Sequence, residues 1–292
     1  MNDDVKKRII ESYQTEGGGF IVHTAEQLKK IYDAYGIDPR SLDRRIFEIE
    51  SLSHFLQKGV IELFKALDIK KEDKVLSLGE GNGAPSRLLV KLVGCKVTGV
   101  DINPEQVKKA KECAVLANVE DKVEYVLQNV EELDLPERNY DKAYCNETVG
   151  HWENKEEAFF RIYNHLKKGA KIGFNLWIRG DKGDLNDAYE EVESFRDLYR
   201  PYIWFQLSLD ELVNILEKVG FRLISKKDVT DEVDARMRAR LKAIKIANAR
   251  KDDKYVKIMG KKTAEMAEKY YEGMIDVNYD YLRYARLIME KR

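Results

Sequence analysis

The sequence has little of what marks several large functional classes. It holds three cysteines, Cys95, Cys113 and Cys145, in 292 residues. They are odd in number and far apart, which fits neither a disulfide framework nor a zinc site. Charge of one sign is missing too: 51 basic against 52 acidic side chains leave a formal net charge of −1. That argues against a nucleic-acid partner held by bulk electrostatics, which usually shows as a basic domain or stripe. No stretch approaches the ~18 apolar residues of a membrane span, and the start, MNDDVKKRII, has no apolar signal core. These absences predict a cytoplasmic protein with no stable membrane insertion and no metal. Internal repeats and low-complexity tracts are lacking as well.

What is present is apolar material for a core, at 43% of residues, and 35% charged side chains. An average domain has about 25% charged; the excess is mostly Lys, Arg and Glu, as on thermophile surfaces laced with ion pairs. The basic-rich stretch Arg236–Lys262 is broken by Asp252 and Asp253 and reads as a solvated helix face.

Residues 1–70 follow helical patterns around the glycine run 17–19. Thr24 and Gln27 stand at capping-box spacing. One long helix is expected over about 43–67, with Ile46, Ile49, Leu52, Leu56, Val60 and Leu63 near helical period. From Lys74, strands at about 74–79, 95–101, 123–127, 140–146 and 170–176 alternate with helices at about 84–93, 104–117 and 153–167. Alternation of this kind means a parallel sheet covered on both faces, with right-handed crossovers. A helix at 208–219, a strand at 221–228, charged helix over 231–273 and a last strand at 281–289 complete the chain. The expected organisation is an N-terminal helical cap (1–70), an α/β domain (71–230), a helical lid insertion (231–275) and the domain's final strand (276–292).

The stretch "VLSLGEGNGAPSR", residues 75–87, runs mostly apolar residues into Gly79, Gly81 and Gly83. A strand entering a glycine-rich turn and then a helix is a nucleotide-type site, although a tight structural turn has the same pattern. The next strand ends "KVTGVDINPEQ", with Asp101 18 residues past Gly83. A carboxylate there accepts hydrogen bonds from the ribose hydroxyls of an adenosine; its competing role is to cap the helix entering at Pro104. NAD and S-adenosylmethionine sites share this much. The spacing G-x-G-x-G, without a basic clamp for a pyrophosphate, favours the adenosine-sulfonium ligand.

With these motifs the sequence resembles the class I S-adenosylmethionine-dependent methyltransferases over roughly residues 45–290. "VEYVLQNVEELDLP" is similar to their third-strand motif, with Asn129 and Val130 at the adenine end. "CNETVGHW" resembles the fourth-strand end of small-molecule members, where Glu147, Thr148 and His151 occupy an E-S-x-x-H element. "LSLDELVNILEKVGFRLISKKDVT" and "YDYLRYARLI" are similar to the last helix and strands. The implied fold is α/β, a Rossmann-like seven-stranded mostly parallel sheet with an antiparallel last strand and a helical cap. The implied cofactor is S-adenosyl-L-methionine, held by Tyr35, Ser77, Gly79, Glu80, Gly81, Gly83, Asp101, Ile102, Gln106, Asn129, Val130 and Asn146. Tyr35 enters because "AYGI" is similar to the cap of the cyclopropane-synthase-like and isoprenoid branch. Ser77 departs from the pattern, standing where an acid usually ends the first strand. Glu80 in the loop, or backbone carbonyls, would then face the cofactor's ammonium group.

His151 is the candidate general base, or else a hydrogen-bonded histidine shaping the pocket. Glu147 either orients an amine or stabilises a carbocation, or bonds backbone. Trp177, Tyr202 and Trp204 are candidate walls for a small-molecule acceptor, by cation–π attraction or apolar contact. The resemblance extends to sarcosine, tocopherol and prenyl-diphosphate methyltransferases. The reading leans to N-methylation of a small amine, because no basic clamp for a diphosphate is evident; C-methylation of an isoprenoid, quinone or lipid is the alternative. A protein that binds the cofactor without transfer is the reading from another class. The exposed cap allows a homodimer.

Overall fold

The structure, a computed structural model, describes residues 1–13, 23–50, 53–196, 204–250 and 253–292. Its centre is a seven-stranded sheet in the order β3-β2-β1-β4-β5-β7-β6. The strands are β1 (Lys74–Leu78), β2 (Lys96–Asp101), β3 (Val123–Leu127), β4 (Tyr140–Asn146), β5 (Leu166–Arg179), β6 (Phe221–Asp228) and β7 (Leu282–Lys291). The first five pair in parallel, and β7 runs antiparallel between β5 and β6. The chain steps outward from β1 through β2 to β3, then restarts on the other side at β4. Crossovers therefore diverge at β1 and β4 and leave a crevice above their carboxyl ends.

The helices are α1 (Asp3–Ser12), α2 (Ala25–Tyr35), α3 (Arg44–Glu50), α4 (Leu56–Leu67), α5 (Ala84–Val93), α6 (Pro104–Ala117) and α7 (Lys155–His165). They continue with α8 (Leu185–Glu191), α9 (Glu193–Arg196), α10 (Leu209–Val219), α11 (Thr230–Ala249), α12 (Lys254–Met259) and α13 (Lys261–Asp276). On one sheet face Phe159 and Ile162 of α7 and Leu212 and Leu216 of α10 pack against Ile172 and Phe174. On the other, α4, α5 and α6 bury Leu63, Leu67, Leu89 and Ala110. Gly173 of β5 makes room for α4: a Cβ there would lie 2.7 Å from Leu63 Cδ1. No helix among the described residues is long and apolar enough to cross a membrane.

The long helix expected over 43–67 is instead two, α3 and α4. The break lies at Ser53–Phe55, where backbone N–H groups of His54 and Phe55 donate to the Glu147 carboxylate at 3.1 and 3.3 Å, and Leu56 takes φ 51°. A distant side chain outcompetes the local helical bonds. The single helical run over 231–273 is likewise three helices, interrupted at Gly260 with φ 83°.

A buried ionic cluster joins α2, α3 and α5. Glu50 accepts from both the Tyr32 hydroxyl and the Arg87 guanidinium. Arg87 also donates to Asn82 O at 2.5 Å, and Asn82 Nδ2 to Glu50 O at 2.6 Å. The cluster thus fixes the glycine loop to the end of α3. Arg87→Met leaves a buried carboxylate without its cation, which costs about 3–5 kcal/mol. Urea denaturation should show that loss, and a loss below about 1 kcal/mol would show the pair to be solvated.

Candidate functional site

The loop after β1 is shaped by backbone bonding and by two glycines. Gly79 N and Glu80 N both donate to Val100 O, at 2.9 and 3.0 Å. Gly79 has φ 67°, and a Cβ on it would sit 2.4 Å from the Thr148 side chain. Gly81 has φ 60° with nothing within 4 Å of its missing Cβ, so bare backbone faces open space. Asp101 ends β2 half-buried beneath the loop: Oδ2 accepts from Gly81 N at 2.7 Å and Oδ1 from Asn103 N at 2.9 Å. Burial pushes its pKa up, against those backbone donors. The capping role belongs to Asn103, whose Oδ1 accepts from Glu105 N at 2.9 Å at the start of α6.

The crevice above β1, β2 and β4 is a pocket lined by Ser77, Gly79, Glu80, Gly81, Asp101, Ile102, Gln106, Asn129, Val130, Asn146, Glu147, His151 and Trp177, among others. Sequence reasoning missed Ser53, Asn103 and Tyr144 in its walls, and assigned no pocket position to Thr148 of the E-T-x-x-H element or to Tyr13 of the cap. Asn103 and Thr148 lie inside quoted motifs, and Tyr13 and Ser53 arrive from the cap by tertiary folding alone. Helix α1 roofs the pocket, held by Asn103 Nδ2 to Ile10 O at 3.2 Å and Gln106 Nε2 to Tyr13 O at 2.9 Å.

Three expected residues are not on these walls. Gly83 packs inward, its missing Cβ 2.5 Å from the Tyr125 hydroxyl and 2.7 Å from Arg87. Tyr35 is turned toward α12, where its hydroxyl accepts from Tyr255 N at 3.0 Å and Lys254 lies over its ring. Trp204 is core, its ring against Phe195 in an apolar cluster with Leu185 and Ala188. Tyr202 lies outside the described residues.

Ser77 and Glu80 belong together. The Ser77 hydroxyl donates to Glu80 Oε2, the Tyr144 hydroxyl reaches the same oxygen at 3.3 Å, and Ser86 N donates to Oε1 at 3.1 Å. Burial raises the Glu80 pKa against these donors. The acid missing from the strand is replaced by one reaching back from the loop.

Glu147 takes φ 66° and is fully engaged. Oε1 accepts from the Ser53 hydroxyl and Phe55 N, and Oε2 from His54 N, His54 Nδ1 (2.6 Å) and Trp177 Nε1 (2.7 Å). Burial pushes its pKa up, but the His54 charge and the His54 and Ser53 donors hold it below the ordinary value. The Asn129 amide is committed too, capping a 3₁₀ turn through Glu131 N at 3.0 Å and reaching Glu132 at 3.1 Å. Asn146 Oδ1 accepts from Asn175 at 2.8 Å.

His151 Nε2 is 3.0 Å from the Tyr13 hydroxyl. Burial, then the Lys155 charge, lowers its pKa to about 4, against Glu147. The imidazole is neutral at neutral pH and a weak base. His23, also buried, is lowered to about 4 by burial and by Lys109 and Arg240. Because the unfolded chain binds these protons first, stability is full above pH 6.5 and falls between 6.5 and about 4. The slope is at most about 1.4 kcal/mol per pH unit for each histidine. Denaturation across that range should show it, and His151→Gln should flatten it; an unchanged slope would mean that His151 is solvated.

The residues present fit S-adenosylmethionine. Bare backbone at Gly81 leaves room for a ligand, and the Asp101 carboxylate lies on the pocket wall at the end of β2. Gln106 lines the pocket and its Oε1 is buried with no hydrogen-bond partner, and the buried Glu80 carboxyl is on the same wall.

Comparison with known proteins agrees. Residues 76–174 match the family model described as "Methyltransferase domain". The sterol 24-C-methyltransferase of Kluyveromyces lactis is 25% identical over 79% of this chain and 61% of that protein. That of Gibberella zeae is 30% identical over 67% and 48%. The chain thus spans about 60% of the length of the curated relatives it matches first. Among solved structures, Haemonchus contortus phosphoethanolamine N-methyltransferase 2 with S-adenosyl-L-methionine superposes with TM-score 0.72 at 16% identity, covering 90% of this chain and 60% of that one. The geranyl diphosphate C-methyltransferase of Streptomyces coelicolor A3(2) gives 0.69 at 13%, covering 99% and 98%. Residues 76–174 are thus a methyltransferase domain, in a chain with the class I methyltransferase fold, and the methyl donor is S-adenosylmethionine.

Proposed function

We propose that this chain methylates a carbon of an apolar, lipid-like small molecule. The observation that carries this reading is the state of Glu147: both its oxygens are occupied by protein donors. No free carboxylate therefore waits at that end for an amine cation. The walls there are Tyr13, Trp152 and Trp177 with a neutral His151. The curated relatives that match are sterol C-methyltransferases, which favours carbon over the small amine toward which the sequence leans.

The bound cofactor supplies an electrophilic methyl and its leaving group; the protein supplies alignment and dryness. Asp101, Gln106, Ile102 and Val130 hold the adenosine, and Glu80 faces the ammonium end. Roofing by α1 excludes water. The Tyr13 and Trp177 rings stabilise positive charge as it develops on the acceptor, and the hydroxyl–imidazole pair Tyr13–His151 stands where a departing proton can be taken.

Incubation with methyl-labelled S-adenosylmethionine should label sterol, quinone or prenyl acceptors in the organic phase and leave sarcosine and ethanolamines unlabelled. Label on the amines would overturn the reading.

A further inference from the structure

A second cavity, of about 580 Å³, lies between α2 and α3 on one side and α11–α13 on the other. It exists because small residues face it. Ala239, Ala243 and Ala247 recur every fourth position on α11, and Ala264 and Ala267 line it from α13. Leucines there would close the space, as close-packed interiors normally do. The stretch expected to be only a solvated helix face thus has an inner side.

The cavity carries a polar anchor. Arg240 donates to Glu48 O and stacks over Tyr271 at 5.9 Å, and its Nε is buried with no hydrogen-bond partner. Of the arginines around the cavity, Arg45 pairs with Asp43 and Arg236 with Glu62 and Glu232, while Arg240 lies 3.7 Å from Glu48 and keeps its Nε for a ligand. The cavity also abuts the cofactor pocket. Tyr270 lines it and its hydroxyl meets His54 Nε2 at 2.7 Å; His54 Nδ1 is 2.6 Å from Glu147, on the wall of the other pocket. Tyr270, the buried His54 and Glu147 stand in series between the two.

We infer that this cavity binds an anionic amphiphile, hydrocarbon body along the alanines of α11 and α13 and carboxylate or phosphate end on Arg240. Resting on the methyl-transfer reading, we assign that amphiphile as the acceptor. Its far end meets the Tyr270–His54 partition, and joining the two cavities takes displacement of both Tyr270 and His54.

Fluorescence titration of the full chain with cis-parinaric acid, beside its uncharged alcohol and a monoalkyl phosphate as competitor, tests this. The wild type should bind one parinarate, displaced by the alkyl phosphate. Ala243→Phe should weaken binding of acid and alcohol tenfold or more, whereas Arg240→Met should weaken the acid about tenfold and leave the alcohol unchanged. Cofactor calorimetry on each variant checks folding, with Ala247→Ile as the substitute if Ala243→Phe does not fold. Normal cofactor binding without parinarate binding, or parinarate binding indifferent to the alanine fillings, overturns the site. Equal loss of acid and alcohol in Arg240→Met overturns the anionic end. Parinarate binding without cofactor binding overturns the methyl-transfer reading and the acceptor role, and supports the cavity as a site.

Discussion

Replacing Asp101 with alanine abolishes measurable cofactor binding. A carboxylate accepting from two ribose hydroxyls makes two charge-assisted hydrogen bonds of about 1.5–3 kcal/mol each. Their loss corresponds to roughly a hundred- to ten-thousand-fold in affinity. The same carboxylate holds Gly81 N and Asn103 N, so the alanine variant also loosens the loop over which the ligand lies. Asp101→Asn separates the two effects: it keeps one acceptor oxygen for the loop and loses the charge and the second acceptor. Calorimetry with S-adenosylmethionine should give no heat for the alanine variant and intermediate affinity for the asparagine one. Wild-type affinity in a folded alanine variant would end the ribose assignment.

Exchanging the acid between positions 77 and 80 has the second large effect. Glu80→Gln should weaken cofactor binding at least tenfold, since it removes the carboxylate the strand itself lacks. Ser77→Asp alone should destabilise the fold, because two buried carboxylates in hydrogen-bonding contact cannot both ionise. The folded Glu80 pKa already lies above its ordinary 4.5. Its ionisation therefore works against the fold as pH rises past 4.5, and a second acid beside it steepens that fall. Ser77→Asp combined with Glu80→Gln puts the acid back on the strand and should recover both stability and binding. If the double variant binds no better than Glu80→Gln, the acid acts on the loop and not on the ligand. Urea denaturation between pH 5 and 8 and cofactor calorimetry read the two halves separately.

The strands, their parallel order and the glycine loop with Asp101 were legible because they are local. A period-two apolar run, a turn that needs positive φ and an acid one strand later each leave their mark within a few residues. The cap is where that legibility ends. Nothing near residue 53 says that His54 and Phe55 will give their N–H groups to Glu147 and cut a regular helix in two. Nothing near Tyr13 says that its hydroxyl will meet His151. Tyr35 and Trp204 are aromatic in the right regions, yet their rings face α12 and Phe195.

By itself, then, the sequence determined the sheet, the cofactor and the class of chemistry. Only the tertiary structure decided that the Ser77 hydroxyl donates to Glu80, that Glu147 is bound up by the cap, and that a second cavity lies beside the first. The physical reason is range. Strand periodicity and turn geometry are set by neighbours in the chain, whereas hydrogen bonds over 93 or 138 residues and the space left by alanines on two separate helices exist only once the chain has closed on itself.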